Sequence, residues 1–171
     1  MEEKVFANSI NHVPEFGPKT LAKIREHFGS FKKAWSGSDQ EYLKIPQLEK
    51  KSLLSLAKIR KEVDPEKEFN ILEKEGVRLL LHNDLPQSLM ETPAPPEVLY
   101  LKGVFPAEDM NYLGVVGTRR YSTYGKTFCV NIIEDLAGRN FVIVSGLAKG
   151  IDSFSHETAL QKNIKTIAVL G

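Results

Sequence analysis

Residues 112–125 read Tyr-Leu-Gly-Val-Val-Gly-Thr-Arg-Arg-Tyr-Ser-Thr-Tyr-Gly, and the fold is decided there. The apolar run 113–116 suits a strand buried on both faces. Gly117 opens a turn, and a helix is predicted over 123–136. The same order recurs downstream, with 141–144 as strand, Ser145-Gly146-Leu147-Ala148-Lys149-Gly150 as turn, and a helix from Ile151. Two consecutive units of this kind predict parallel strands whose turns open at one sheet edge. In doubly wound sheets ligands sit at that carboxyl edge, and helix N-termini with free backbone N–H groups there suit anions.

Working outward, Gly125, Phe128, Cys129, Ile132, Ile133 and Leu136 recur at helical spacing and predict a stripe packed on the sheet, with Gly138 as the stop. Ile151, Phe154, Thr158 and Ala159 form a weaker stripe. Residues 166–171 predict a third parallel strand. An open parallel sheet with helices on both faces calls for further strands, so 110–171 reads as the first half of a Rossmann-like domain. Upstream, 63–109 reads as an acidic connector with strands at 77–81 and 98–101, separated by a proline-rich stretch, 86–96, expected to lack regular structure. The charged run 58–75 is expected as helix, ended by Gly76.

Residues 1–62 predict a module of short helices. His12-Val13-Pro14-Glu15-Phe16-Gly17-Pro18 resembles a helix-hairpin-helix turn with Glu15 where a second glycine is usual, and a similar unit recurs over 42–51 without glycines. Hairpins of that type hold DNA phosphates on backbone amides. A carboxylate beside the spot favours a structural corner instead.

Net charge over the 171 residues is +1, so nucleic-acid binding needs a local basic patch. Residues 1–62 carry +4, 63–109 carry −6 and 110–171 carry +3, which places basic charge at both ends. The single cysteine, Cys129, excludes an internal disulfide and a multi-cysteine metal site. The start has no signal-peptide pattern and no run is long enough to span a membrane, so a cytoplasmic protein is expected.

Three chemistries fail on spacing. Gly125-Lys126-Thr127 imitates the end of a P-loop, but Arg120 stands where its first glycine belongs. No G-x-G-x-x-G can be written after the first strand. Ser145, Asp152 and His156 make a poor hydrolytic triad, because Asp152 and His156 lie four apart on one helix and no nucleophile elbow surrounds Ser145. What remains is an anion edge, with Arg119 and Arg120 in the first turn, Lys149 in the second, and Ser122, Ser145 and the glycines offering donors. Asp152 would repel a phosphate and is expected to face away, pairing with Arg119. The alternative is an enzyme acting on a nucleotide, for which the sequence offers no convincing acid, base or nucleophile.

The motifs carry a resemblance. Gly117-Thr118-Arg119, Ser122 and Tyr124-Gly125 are similar to the G-x-R-x-x-S-x-Y-G signature of the DNA-processing protein A (DprA/Smf) family. Residues 145–152 with His156 and Ala159-Leu160 resemble its S-G-x-A-x-G-I-D-x-x-A-H-x-x-A-L, with Ser155 where alanine is usual. Pro95-Pro96 and the N-terminal module, SAM-like or helix-hairpin-helix, fit as well. The resemblance implies an α/β protein with a partial Rossmann-like sheet that binds and protects single-stranded DNA. It also implies help in loading the RecA recombinase in natural transformation, and homodimers for the full-length protein. It implies no catalysis and no nucleotide cofactor. Residue by residue, it assigns the DNA phosphate to Gly117, Arg119, Ser122, Gly125, Ser145, Gly146, Lys149 and Gly150.

Overall fold

Helices α1 (Glu2–Asn11) and α2 (Pro18–Phe28) are joined by a tight hairpin, in which Pro18 takes a first-turn position where its missing N–H has no helical partner to lose. The computed structural model describes residues 1–107 and 109–171. Two units result, Met1–Val104 and Phe105–Gly171. In the first, α3 (Phe31–Ser36) and α4 (Asp39–Tyr42) follow, with Ser30 and Ser38 as N-caps whose hydroxyls accept from Lys33 and Glu41 amides. The charged run 58–75 is two helices rather than one. α5 (Lys50–Glu62) stops before Asp64, which caps α6 (Pro65–Lys74) by accepting from the Glu66 and Lys67 amides.

The hairpin recurs. Residues 45–50 repeat 13–18 position for position, with Pro46 matching Pro14 and Ile45 matching Val13, both of the latter buried. Each turn closes with the same bond, Phe16 N–H to Val13 O at 2.9 Å and Leu48 N–H to Ile45 O at 3.3 Å. Where the second turn needs a left-handed residue, Gln47 takes φ +66°. Each following helix then grips the other hairpin. Lys23 Nζ donates to Pro46 O (3.2 Å) and Gln47 Oε1 (2.7 Å), while Ser55 Oγ donates to Glu15 Oε1 at 3.0 Å.

Tyr42 sits fully buried under the rings of Phe16 and Phe28, its hydroxyl donating to Ala34 O at 2.8 Å. Arg60 closes the same layer, donating to Ala34 O and Gly37 O with its guanidinium over Trp35 and Tyr42. Strands β1 (Val77–Leu81) and β2 (Val98–Lys102) pair antiparallel, and Phe69 and Leu79 share the apolar core of the helices. Residues 63–104 therefore fold with the helical module instead of standing apart as a connector. The proline-rich stretch is not wholly irregular, since α7 (Gln87–Met90) makes one turn directly after Pro86. Buried Glu97 pairs with Arg25 at 2.6 Å.

The second unit holds β3 (Asn111–Gly114), α8 (Thr123–Asp135), β4 (Phe141–Ser145), α9 (Ile151–Gln161) and β5 (Lys165–Ala168). The strands are parallel in the order β3-β4-β5. Successive right-handed crossovers stepping one way put both helices on the same face. There Cys129, Ile133, Ile143, Ile151, Ala159 and Ile164 form the core. The opposite face of β3 is open rather than buried, with Tyr112 exposed, and Val116 lies beyond the strand at 88% exposure. The α8 stripe is also narrower than the periodicity implies: Cys129 and Ile133 are buried, whereas Phe128 and Ile132 are exposed.

Candidate functional site

The turns after β3 and β4 meet at the carboxyl edge, and the contact between them is tight. A Cβ on Gly117 would lie 2.4 Å from Ile151 Cβ, and one on Gly150 only 2.4 Å from Thr118 O, so both positions admit glycine alone. Gly150 also has φ +93°, a conformation that other residues rarely adopt. With no side chains intervening, Ile151 N–H donates to Thr118 O at 3.3 Å. Asp152, predicted to face away, is buried and turned inward, where Oδ1 accepts from Gly117 N–H at 3.3 Å. No Arg119–Asp152 pair occurs among the described residues. The carboxylate is a tie between the two turns, and burial, aided by this neighbouring charge, pushes up the pKa of the Cys129 thiol.

Two further donors of the predicted set, the Gly125 N–H and the Ser145 hydroxyl, are occupied internally. Ser122 caps α8, its Oγ accepting from Gly125 N–H at 3.1 Å. Ser145 is 4% exposed and donates to Val115 O at 2.7 Å, so its hydroxyl belongs to the sheet and not to the open edge. Thr118, which spacing alone did not single out, braces its own turn by donating to Arg120 O and accepting from Arg120 N–H, both at 3.1 Å. At the first turn of α9, Ser153 N–H and Oγ both donate to Ala148 O.

What remains outward is charge and aromatic surface. Arg119, Arg120 and Lys149 are exposed at the edge, and Gly146 is exposed beside them. Among the described residues none of the three cations is held in an ion pair. Guanidinium forks and an ammonium on a braced frame can grip an anion without first leaving an internal partner. Tyr121 stands edge-on to Phe154, Lys126 Nζ lies 4.5 Å above the same ring, and Tyr124 and Phe128 stack on α8. The sequence signal for the last pair was present in their four-residue spacing, on a face that the sheet-packing stripe wrongly claimed.

Ser145 and His156 do not form a catalytic pair. Thr166 Oγ1 donates to Ile143 O, so His156 donates from Nδ1 to Thr166 at 2.6 Å, linking α9 to two strands. No helix among the described residues is long and apolar enough to cross a membrane.

The family profile described as DNA recombination-mediator protein A matches residues 77–171. Protein Smf of Synechocystis is 29% identical over 175 residues, an alignment covering 99% of this chain and 44% of that protein. DNA processing protein DprA of Streptococcus pneumoniae is 40% identical over 92 residues, covering 54% of this chain and 32% of its own length. The crystal structure of the Streptococcus pneumoniae protein superposes with a TM-score of 0.67 at 24% identity, covering 98% of this chain and 57% of that one, a likeness of fold. The chain thus spans less than half the length of these two curated relatives.

Proposed function

The chain belongs to the DNA recombination-mediator protein A family, and from that premise we propose that the edge formed by 116–122 and 146–150 holds the phosphate backbone of single-stranded DNA. The observation that carries the reading is the locked pair of turns. Asp152, Gly117, Gly150 and Thr118 fix the frame, and Arg119, Arg120 and Lys149 project from it without ion-pair partners among the described residues. Arg119 and Lys149 supply the charge and Gly146 offers close backbone approach. Gly117, Gly125, Gly150, Ser122 and Ser145 contribute by shaping the edge. A flexible phosphate chain can follow such an edge, whereas duplex readout needs an element laid in a groove.

By the same reading, the whole protein shields single strands and passes them to the RecA recombinase in natural transformation, works as a homodimer, and resides in the cytoplasm. Family membership and the resemblance of both motifs support this.

The test is fluorescence anisotropy of single-stranded and duplex oligonucleotides over a salt series. The single strand is expected to bind tighter, with log affinity falling by about 0.7 per phosphate contacted for each unit of log salt. Arg119→Ala and Lys149→Ala each remove a charged hydrogen-bond donor worth about 1.5–3 kcal/mol, weakening binding roughly tenfold to a hundredfold. Lys19→Ala, in the first hairpin, is the control. Loss of binding with Lys19→Ala but with neither edge variant would move the site to the helical module.

A further inference from the structure

We propose, resting on the single-strand reading above, that the outer face of α8 is a base-stacking platform continuous with the phosphate edge, and that Tyr124 receives a nucleobase. Tyr124 is 76% exposed and Phe128 53%, with ring centroids 5.9 Å apart and planes only 22° from parallel. On a helix whose opposite side buries Cys129 and Ile133, this pair points away from the sheet. Phe128 flanks Tyr124 in a near-parallel, offset arrangement, and both rings stay open to solvent.

The surroundings select the occupant. Tyr124 follows the Ser122 cap by two residues, and Arg120 precedes that cap by two. Tyr121, at 46% exposure, adds a third ring at the same end of the helix. Lys126, two residues after Tyr124, instead lies over Phe154 on the side of the helix turned to α9. Flat π faces following the Arg119-Arg120 turn match a chain of flat bases on an anionic backbone, whereas a purely apolar protein partner would have no use for the charge. Stacking is also tolerant of sequence, because every base has a π face.

The experiment compares the full chain with variants on two probes of equal length, an oligothymidine and the same backbone bearing abasic tetrahydrofuran sites. The parent is expected to bind the oligothymidine more tightly. Tyr124→Ala with Phe128→Ala should weaken oligothymidine binding about 5- to 100-fold while leaving the abasic strand and the salt slope unchanged. Tyr124→Phe should retain affinity and Tyr124→Leu lose it, because the flat ring and not mere apolarity is required. Equal loss on both probes, or no loss on either, overturns the proposal. So does a change of sedimenting mass with Tyr124→Leu, which would make the face a protein interface. If the parent binds both probes alike, stacking fails and the phosphate edge stands. If it binds neither, the single-strand reading itself falls.

Discussion

Gly117→Ala separates a glycine required for the frame from one required by a ligand. The new Cβ would lie 2.4 Å from Ile151 Cβ and within 2.7 Å of both its γ-branch carbons, where ordinary contact begins at 3.4 Å. No rotamer of Ile151 moves its own Cβ, so the turn must open by about 1 Å, the shortfall between those two distances. The Gly117–Asp152 and Ile151–Thr118 bonds already measure 3.3 Å each, and both break under that displacement. Overpacking contributes about 1–3 kcal/mol and the lost bond to a buried carboxylate about 1.5–3, together about 2.5–6 kcal/mol. A unit the size of Phe105–Gly171 has total stability near the low end of about 5–15 kcal/mol, and its midpoint should fall by more than about 10 °C. The sole tryptophan, Trp35, lies in the other unit. The assay is therefore hydrogen exchange of the β4 amides, with calorimetry beside it. Gly125→Ala is the contrast. Its Cβ would meet Ser122 Oγ at 3.5 Å and Ile151 Cδ1 at 3.8 Å, ordinary contacts, and replacing a helical glycine gains about 0.5–1 kcal/mol. Unchanged β4 protection in Gly117→Ala would refute this account of the locked turns.

Arg60→Ala should destabilise the first unit by about 2–4 kcal/mol, because two carbonyls and two aromatic faces lose a partly buried guanidinium; Trp35 emission during urea unfolding measures it. Tyr42 gives a pH dependence, its ionisation pushed up to about 12 by burial. Below pH 10 both the folded and unfolded chains keep the phenolic proton, and its stabilisation is fully present. As pH rises from 10 to 12 the unfolded chain ionises first, so the unit should lose about 2–3 kcal/mol attributable to this residue. Urea midpoints at pH 9.5 and 11.5 check this, with Tyr42→Phe expected to show a smaller fall.

The strand, turn and helix order of 110–171 was legible because the changes of hydrophobic period coincide with glycines, except between α9 and β5, where Asn163 takes the left-handed turn at φ +57°. Asp64-Pro65 also carried its signal, an N-cap followed by a first-turn proline, which the continuous charge on either side obscured. Ser145 was decipherable in retrospect. Ile143 faces the helices, and the two-residue period of a strand turns Ser145 to the same side, away from the edge. Asp152 was not, since its partner is a backbone amide 35 residues upstream and no spacing rule announces it. For α8, apolar residues on both the packed and the open faces widened the stripe, and only packing could tell Cys129 from Phe128.

The mutual grip of the two hairpins bears on how the first unit folds. Lys23 reaches Gln47 across 24 residues and Ser55 reaches Glu15 across 40, so neither turn finds its partner until the chain between them has closed. The loop-closure entropy is common to both contacts and comes ahead of either reward. Each half by itself would keep a short local turn and lose its anchor, leaving Glu15 or Gln47 to water. The duplicated stretch is thus a single kinetic unit despite its two sequence copies. A chain cut between them would lack two half-modules able to persist alone, and both hairpins should appear in the same refolding phase.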